Sequence, residues 1–155
     1  MIAFRTLGSL DLVDGEGRTL AAVLAGPKRA ALLSYLALAR PRGFQRRDVL
    51  VALLWPELDQ ERARAALRHT LHHLRRSLGP DAIRSRGDDE VALDASVTCD
   101  AVEFERLLDA GDPAAAMALY HGPLLDGFFV AEAEEFEKWV ERERPTAASR
   151  PAPTS

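Results

Sequence analysis

The chain has 155 residues, of which 47% are hydrophobic, and this is enough for one core or for a small domain with part of another. It has no apolar run of about 18 residues and no signal-peptide pattern, so a membrane or secreted protein is not expected and the predicted location is the cytoplasm. The single cysteine, Cys99, excludes an internal disulfide and a multi-cysteine metal site, and we predict that it is buried.

The net charge of −4 combines two unlike halves. Residues 1–94 contain 15 lysines and arginines against 12 acidic residues, whereas residues 95–155 contain 5 against 12. This asymmetry predicts an acidic partner for the first half and a different role for the second half.

Short strands are predicted for the first two dozen residues, where side chains alternate on a two-residue period. Turn sequences at Gly8-Ser9 and at 14–17 divide them into three segments. The alternating positions are Ile2, Phe4 and Thr6, then Leu10 and Leu12, then Leu20, Ala22 and Leu24. We expect these segments to form short antiparallel strands.

Two helices are predicted next. Gly26-Pro27 ends the strands and begins a helix over residues 28–39, because proline is well placed in a first helical turn. A second helix is predicted from about Arg46 to Leu54, and Pro56 prevents it from continuing. Trp55 is expected to cover the core.

The most regular stretch is a helix predicted over residues 60–78, with Asp59 as its N-cap. Its apolar residues form one stripe, and the helix carries five arginines against one acid, Glu61. The stripe consists of Ala63, Leu67, Leu71, Leu74 and Leu78. A basic face on a docked helix is typical of a protein that binds phosphates, although a solvated arginine face would give the same pattern.

A β-hairpin is predicted over residues 82–94, with its turn at Gly87-Asp88-Asp89. Strand alternation places Arg84 and Arg86 on one face, from which they can reach a DNA groove or a phosphate. The acidic residues of the turn oppose close approach of its tip.

Several segments carry a resemblance to a known family. They are Lys28-Arg29-Ala30-Ala31-Leu32-Leu33, Leu53-Leu54-Trp55-Pro56, Leu74-Arg75-Arg76-Ser77-Leu78-Gly79, Cys99-Asp100-Ala101-Val102-Glu103-Phe104-Glu105, and the stretch from Ala116 to Phe128. With the order of strands, helices and hairpin, they make the chain resemble the SARP family of bacterial transcriptional activators over about residues 1–144. In that family an OmpR-type winged-helix DNA-binding domain precedes a bacterial transcriptional activation domain.

The resemblance implies an α+β fold, a winged helix-turn-helix followed by tetratricopeptide-like helices. The winged helix would cover residues 1–96, with short antiparallel strands at its start, and a partial activation domain would cover residues 97–144. Helices of this second part are expected at 102–110, 113–120 and 133–144. Residues 145–155 have no hydrophobic pattern and are predicted to be a disordered tail.

The second part is too short for a full stack of helical repeats, and a repeat cannot bury its apolar face alone. Phe128, Phe129, Phe136 and Trp139 must therefore pack on the winged helix, pack between subunits or stay partly exposed.

The resemblance also implies a binding site on double-stranded DNA. Helix 60–78 would lie in the major groove and the hairpin would touch the backbone or the minor groove, because arginine and histidine can donate hydrogen bonds to base edges and phosphates. The candidate contact residues are Arg62, Arg64, Arg68, His69, His72, His73, Arg75, Arg76, Arg84 and Arg86. Arg46 and Arg47 can hold a phosphate or form surface ion pairs.

The histidines at 69, 72 and 73 invite a metal hypothesis, since His69 and His73 are one helical turn apart. We reject it because no cysteine or carboxylate shares that face and Thr70 stands where a zincin has glutamate. Instead, histidine charge predicts that DNA binding tightens as the pH falls from ~8 to ~6.

The predicted function is sequence-specific DNA binding by a transcriptional regulator. RNA polymerase and a second copy of the chain on tandem sites are possible further partners, and no cofactor or metal is expected. Glu57 and Asp59 can face polymerase, although helix capping explains them equally well. The alternative is a protein-interaction module that contacts polymerase or another partner without DNA. No catalytic motif supports an enzyme.

Overall fold

A computed structural model describes the backbone of residues 1–149 and the side chains of residues 1–144. The elements in chain order are β1 (Ile2–Arg5), β2 (Asp11–Val13), α1 (Ala21–Leu24), α2 (Pro27–Leu38), β3 (Gln45–Arg46), α3 (Arg47–Leu54), α4 (Gln60–Leu78), β4 (Ile83–Arg86), β5 (Glu90–Leu93), β6 (Val97–Cys99), α5 (Asp100–Asp109), α6 (Pro113–Met117) and α7 (Glu134–Ser149). The mixture of helices with small sheets agrees with the predicted α+β class.

The first sheet has the order β2-β1-β6. β1 and β2 are antiparallel, as predicted, and place the buried side chains of Phe4 and Leu12 opposite each other. β6 lies parallel to β1 on the other side, with Phe4 opposite Cys99. Cys99 is buried, as predicted, and burial raises the pKa of its thiol to about 11.

The third predicted N-terminal strand is wrong, because Ala21–Leu24 forms helix α1. Val23 is its buried residue, while Leu20 and Leu24 pack against the core, and this spacing of three and four residues suits a helix. A few alternating residues are compatible with one helical turn as well as with a strand, and the two alanines favour the turn.

Helices α2, α3 and α4 surround the main core. The two predicted helices before α4 are present with boundaries shifted by a residue. α2 contributes Leu32, Leu33 and Leu36, α3 contributes Leu50 and Leu54, and α4 contributes the predicted apolar stripe. Trp55, at 6% exposure, covers this core.

The turn between α3 and α4 is fixed at both ends. The Asp59 carboxylate accepts a hydrogen bond from the backbone N–H of Arg62 at 2.8 Å, which confirms the predicted N-cap. The Lys28 ammonium donates to the backbone carbonyl of Leu54 and pairs with Glu57 at 3.2 Å. These contacts set where α4 starts relative to α3.

The second sheet has the order β3-β5-β4. β4 and β5 form the predicted hairpin, joined by a turn in which Gly87 has φ 62°, a conformation that favours glycine. The two-residue strand β3 pairs antiparallel with β5 and was not predicted. It holds the start of α3 beside the hairpin.

The second half of the chain is fastened to the first at β6 and α5. The Asp100 carboxylate accepts hydrogen bonds from the Thr6 backbone N–H at 2.7 Å, the Thr6 hydroxyl at 2.9 Å and the Leu7 backbone N–H at 3.1 Å. Because β6 belongs to the N-terminal sheet, the boundary predicted after residue 96 falls just before a strand that pairs with β1.

The apolar side chains of the second half pack on the first half. α7 lies against α3, and the Trp139 ring centroid is 4.8 Å from that of Tyr35 on α2. Phe136 is fully buried and Phe128 partly buried, whereas Phe129 remains 67% exposed. Of the three predicted alternatives, packing on the first half of the chain therefore accounts for most of these aromatic residues.

Helix α7 continues to Ser149, so the first residues of the segment predicted to be disordered are helical. Residues 150–155 lie outside the described residues. Helix α6 ends at Met117 rather than at residue 120. Within the described residues, no helix combines the length and apolar character needed to cross a membrane.

Candidate nucleic-acid interface

Helix α4 has one buried face and one solvent face. Ala63, Leu67, Leu71 and Leu74 are at most 1% exposed, because their spacing keeps all four on the core side. Most of the predicted contact residues lie on the solvent face. The exposed ones are Arg62, Arg64, Arg68, His69, His72 and Arg76.

Five of these exposed residues fall into two rows. Helical spacing places His69, His72 and Arg76 on the ridge farthest from the buried stripe. Arg64 and Arg68 lie on the flank, where they line a cleft shared with the start of α3 and the hairpin tip. The ridge is the part of the helix best placed to enter a groove.

Arg75 occupies an internal position between α4 and the hairpin. Its guanidinium donates to the backbone carbonyl of Ile83 at 3.2 Å, from both Nε and Nη2, and to the Ser85 hydroxyl at 2.9 Å. The side chain is half-buried. Arg75 therefore ties α4 to β4, a role that helical periodicity did not suggest.

His73 is also half-buried, on the side of α4 that approaches α2. Burial lowers the pKa of its imidazole, and the positive charges of Arg29 and Arg76 together with His72 lower it further. The lowered pKa favours the neutral imidazole, in which one ring nitrogen donates a hydrogen bond and the other accepts one. Of the three histidines on α4, His69 and His72 are exposed.

The cleft beside Arg64 and Arg68 has a volume of about 540 Å³. Its other charged lining residues are Arg47, Asp48, Asp88 and Asp89. The backbone N–H of Arg47 donates to the Asp89 carbonyl at 2.7 Å, so the acidic hairpin tip is held against the start of α3. The carboxylates of the tip line the cleft, so the repulsion of phosphates predicted for this turn acts at the cleft.

A hydrogen bond from Arg46 at 3.0 Å lowers the pKa of the Asp48 carboxyl, and the charge of Arg64 adds to the effect. Arg46 therefore forms a surface ion pair, which was one of the two predicted roles for it.

Arg84 and Arg86 project from one face of the hairpin, as predicted, and both meet the ring of Phe44. The guanidinium carbon of Arg86 lies 4.3 Å from the ring centroid and that of Arg84 lies 5.9 Å from it. Arg86 also pairs with Glu90 at 2.8 Å. Sequence analysis missed Phe44, for which the signal was a lone aromatic residue between Gly43 and two polar residues.

Within residues 1–149, no group of three histidine, cysteine, aspartate or glutamate side chains lies close enough to hold a metal ion. The histidines of α4 are spread along the solvent face and its flank. The chemistry of this surface is hydrogen-bond donation from guanidinium and imidazole groups.

The fold is similar to that of EmbR from Mycobacterium tuberculosis, solved in complex with a low-affinity phosphopeptide. The TM-score is 0.68 at 22% sequence identity, and the match covers 96% of this chain and 43% of that chain. The chain thus spans less than half the length of the EmbR chain. At this level of identity the likeness shows that the two chains share a fold. No protein-family model matches the chain, and no curated protein matches it.

Proposed function

We propose that the chain is a sequence-specific DNA-binding transcriptional regulator, an activator, that inserts α4 in the major groove. The observation that carries the proposal is the solvent face of α4. This face presents six exposed arginine and histidine side chains from a helix whose opposite face is anchored in the core. The SARP-like fold is consistent with the same role.

The dimensions of the helix suit this placement. A helix of 19 residues is about 28 Å long, and the major groove of B-DNA, about 12 Å wide, admits one helix. In this orientation the ridge residues His69 and His72 reach base edges, Arg76 reaches a base edge and the phosphate beside it, and Arg62, Arg64 and Arg68 reach flanking phosphates. Arg75 is left to position the hairpin, and His73 contributes at the margin.

The hairpin over residues 82–94 supplies the second contact in the proposal. Arg84 and Arg86 approach the backbone or the minor groove, while the carboxylates of the tip keep the turn itself away from phosphates. In this view residues 1–96 form the DNA-binding unit and residues 97–144 form part of an activation domain. RNA polymerase and a second copy of the chain on tandem sites are its further proposed partners.

The test is a salt titration of binding to promoter fragments selected from genomic DNA. The binding constant should fall by about 0.9 log unit per log unit of salt for each phosphate neutralised. Arg68→Ala combined with Arg76→Ala should weaken binding and flatten this slope by up to about 1.8. Arg106→Ala is the matched control, because Arg106 is exposed on α5 and pairs locally with Glu103. Absent or salt-insensitive binding to every fragment would overturn the proposal.

A second candidate function is a protein-interaction module that contacts RNA polymerase or another partner without DNA. The exposed carboxylates of Glu134, Glu135 and Glu141 on α7 favour it, as does the exposed ring of Phe129. Copurification with polymerase in the absence of DNA, together with no protection of any DNA fragment, would support this alternative over the first.

A further inference from the structure

The sheet β3-β5-β4 has an outer face that gathers charged side chains from all three strands. The strand register places Arg46 level with Glu90, and Glu90 level with Arg86. Two residues along each strand, Arg84 is level with Ala92, and Phe44, which precedes β3, falls at the same level. Since alternate residues share a face, these six side chains lie together.

The register places Phe44 beside Ala92 of β5, a residue with a small side chain that is only 5% exposed. The ring reaches the guanidinium groups of Arg86 and Arg84 on the far strand. A side chain that immediately precedes β3 thus contacts both arginines of the hairpin.

The three arginines on this face differ in how far an acidic neighbour already engages them. Arg86 donates a hydrogen bond from Nε to the Glu90 carboxylate at 2.8 Å, and Arg46 donates one to the Asp48 carboxylate at 3.0 Å. Among the described residues, no hydrogen bond or ion pair engages the Arg84 guanidinium, and Asp94 is the acidic group near enough to influence it. Stacking on a ring leaves the N–H edge of a guanidinium free for an acceptor.

We propose that Phe44 is a positioning residue for DNA binding: by stacking with Arg84 and Arg86 it holds their N–H edges toward the phosphate backbone. The inference rests on the proposed function, and it adds a residue outside both α4 and the hairpin to the interface. The outer face then becomes a phosphate-binding surface in which Arg84 is the readily available cation. Release of Arg86 requires exchange of Glu90 for a phosphate oxygen.

The stacking is tested first in the full chain without DNA. Aliphatic protons of Arg86 above a ring experience a ring current, so their NMR resonances should lie upfield of those of an exposed arginine such as Arg62. Phe44→Leu should return them to ordinary positions, and Phe44→Tyr should keep them upfield. Unchanged shifts in Phe44→Leu would overturn the inference.

The effect on binding is tested by a double-mutant cycle on a selected DNA fragment. Phe44→Leu should weaken binding several-fold and flatten the salt slope, whereas Phe44→Tyr should keep the affinity and the slope of the unsubstituted chain. In a chain that already carries Arg84→Ala and Arg86→Ala, Phe44→Leu should have no further effect on binding. An equal loss in both backgrounds would show a structural effect only and would overturn the inference. If the unsubstituted chain binds no DNA, the proposed function fails with it. If it binds and Phe44→Leu changes nothing, only the inference fails.

Discussion

Replacement of Arg75 by methionine separates a structural arginine from a DNA-contacting one. Methionine keeps much of the apolar stem but removes the donors that reach the Ile83 carbonyl and the Ser85 hydroxyl. If the side chain ties α4 to the hairpin, the variant loses stability. If it touches DNA, as its sequence position alone suggested, the variant loses a phosphate contact.

The magnitude follows from the hydrogen bonds. A bond from a charged donor contributes about 1.5–3 kcal/mol when buried, and the half-buried position of Arg75 reduces this. We expect Arg75→Met to lower the free energy of unfolding by about 1–2 kcal/mol. For a chain of this size that corresponds to a loss of about 2–8 °C in Tm.

The assays are urea denaturation and a salt titration of DNA binding on the same samples. Arg76→Met is the matched control, since Arg76 is the next residue and is exposed. Arg76→Met should change stability by less than about 0.5 kcal/mol and should flatten the salt slope by about 0.9. Arg75→Met should show the opposite pattern. Unchanged stability with a flattened slope in Arg75→Met would refute the assignment of Arg75 to the hairpin junction.

Three further predictions concern the core, the hairpin and the pH response. Leu71→Ala should lower the free energy of unfolding by about 2–5 kcal/mol because it opens a cavity in a fully packed stripe. Val49 is 43% exposed, so Val49→Ala should lower it far less. Equal losses for the two variants in urea denaturation would contradict the packing of α4. Glu90→Gln removes the partner of Arg86, so DNA binding should tighten and the salt slope steepen by up to about 0.9, and an unchanged titration would show that Arg86 is not recruited. Because the pKa of His73 is lowered in the folded chain, the unfolded chain takes up the proton first as the pH falls, and the free energy of unfolding should decline as the pH falls through about 6.5. In urea titrations at several pH values, His73→Gln should remove that part of the decline. Identical pH profiles for the two proteins would disprove this prediction.

The elements that could be predicted from the sequence are those with a long, regular signal. The stripe of α4 repeats over 19 residues, and Asp59 stands before it in a capping position, so both were predictable. The hairpin was marked by alternation around Gly87. In each case the evidence lies in residues close together in the chain.

What could not be predicted depends on contacts between distant residues. The segment from Leu20 to Leu24 was too short to distinguish a strand from one helical turn. The parallel pairing of β6 with β1 joins Ile2 to Val97, which are far apart in the chain, and no local pattern reports it. The roles of Arg75 and Phe44 likewise depend on where the hairpin lies, which only the folded chain establishes.

The central claim, that α4 reads DNA sequence, is tested most directly by selection of genomic fragments bound by the full chain. The chain should enrich fragments that share a sequence motif, and the variant carrying Arg68→Ala and Arg76→Ala should lose that enrichment. A motif repeated in tandem would also report a second copy of the chain on the site. Enrichment without a shared motif, or equal enrichment by the chain and the variant, would contradict the claim.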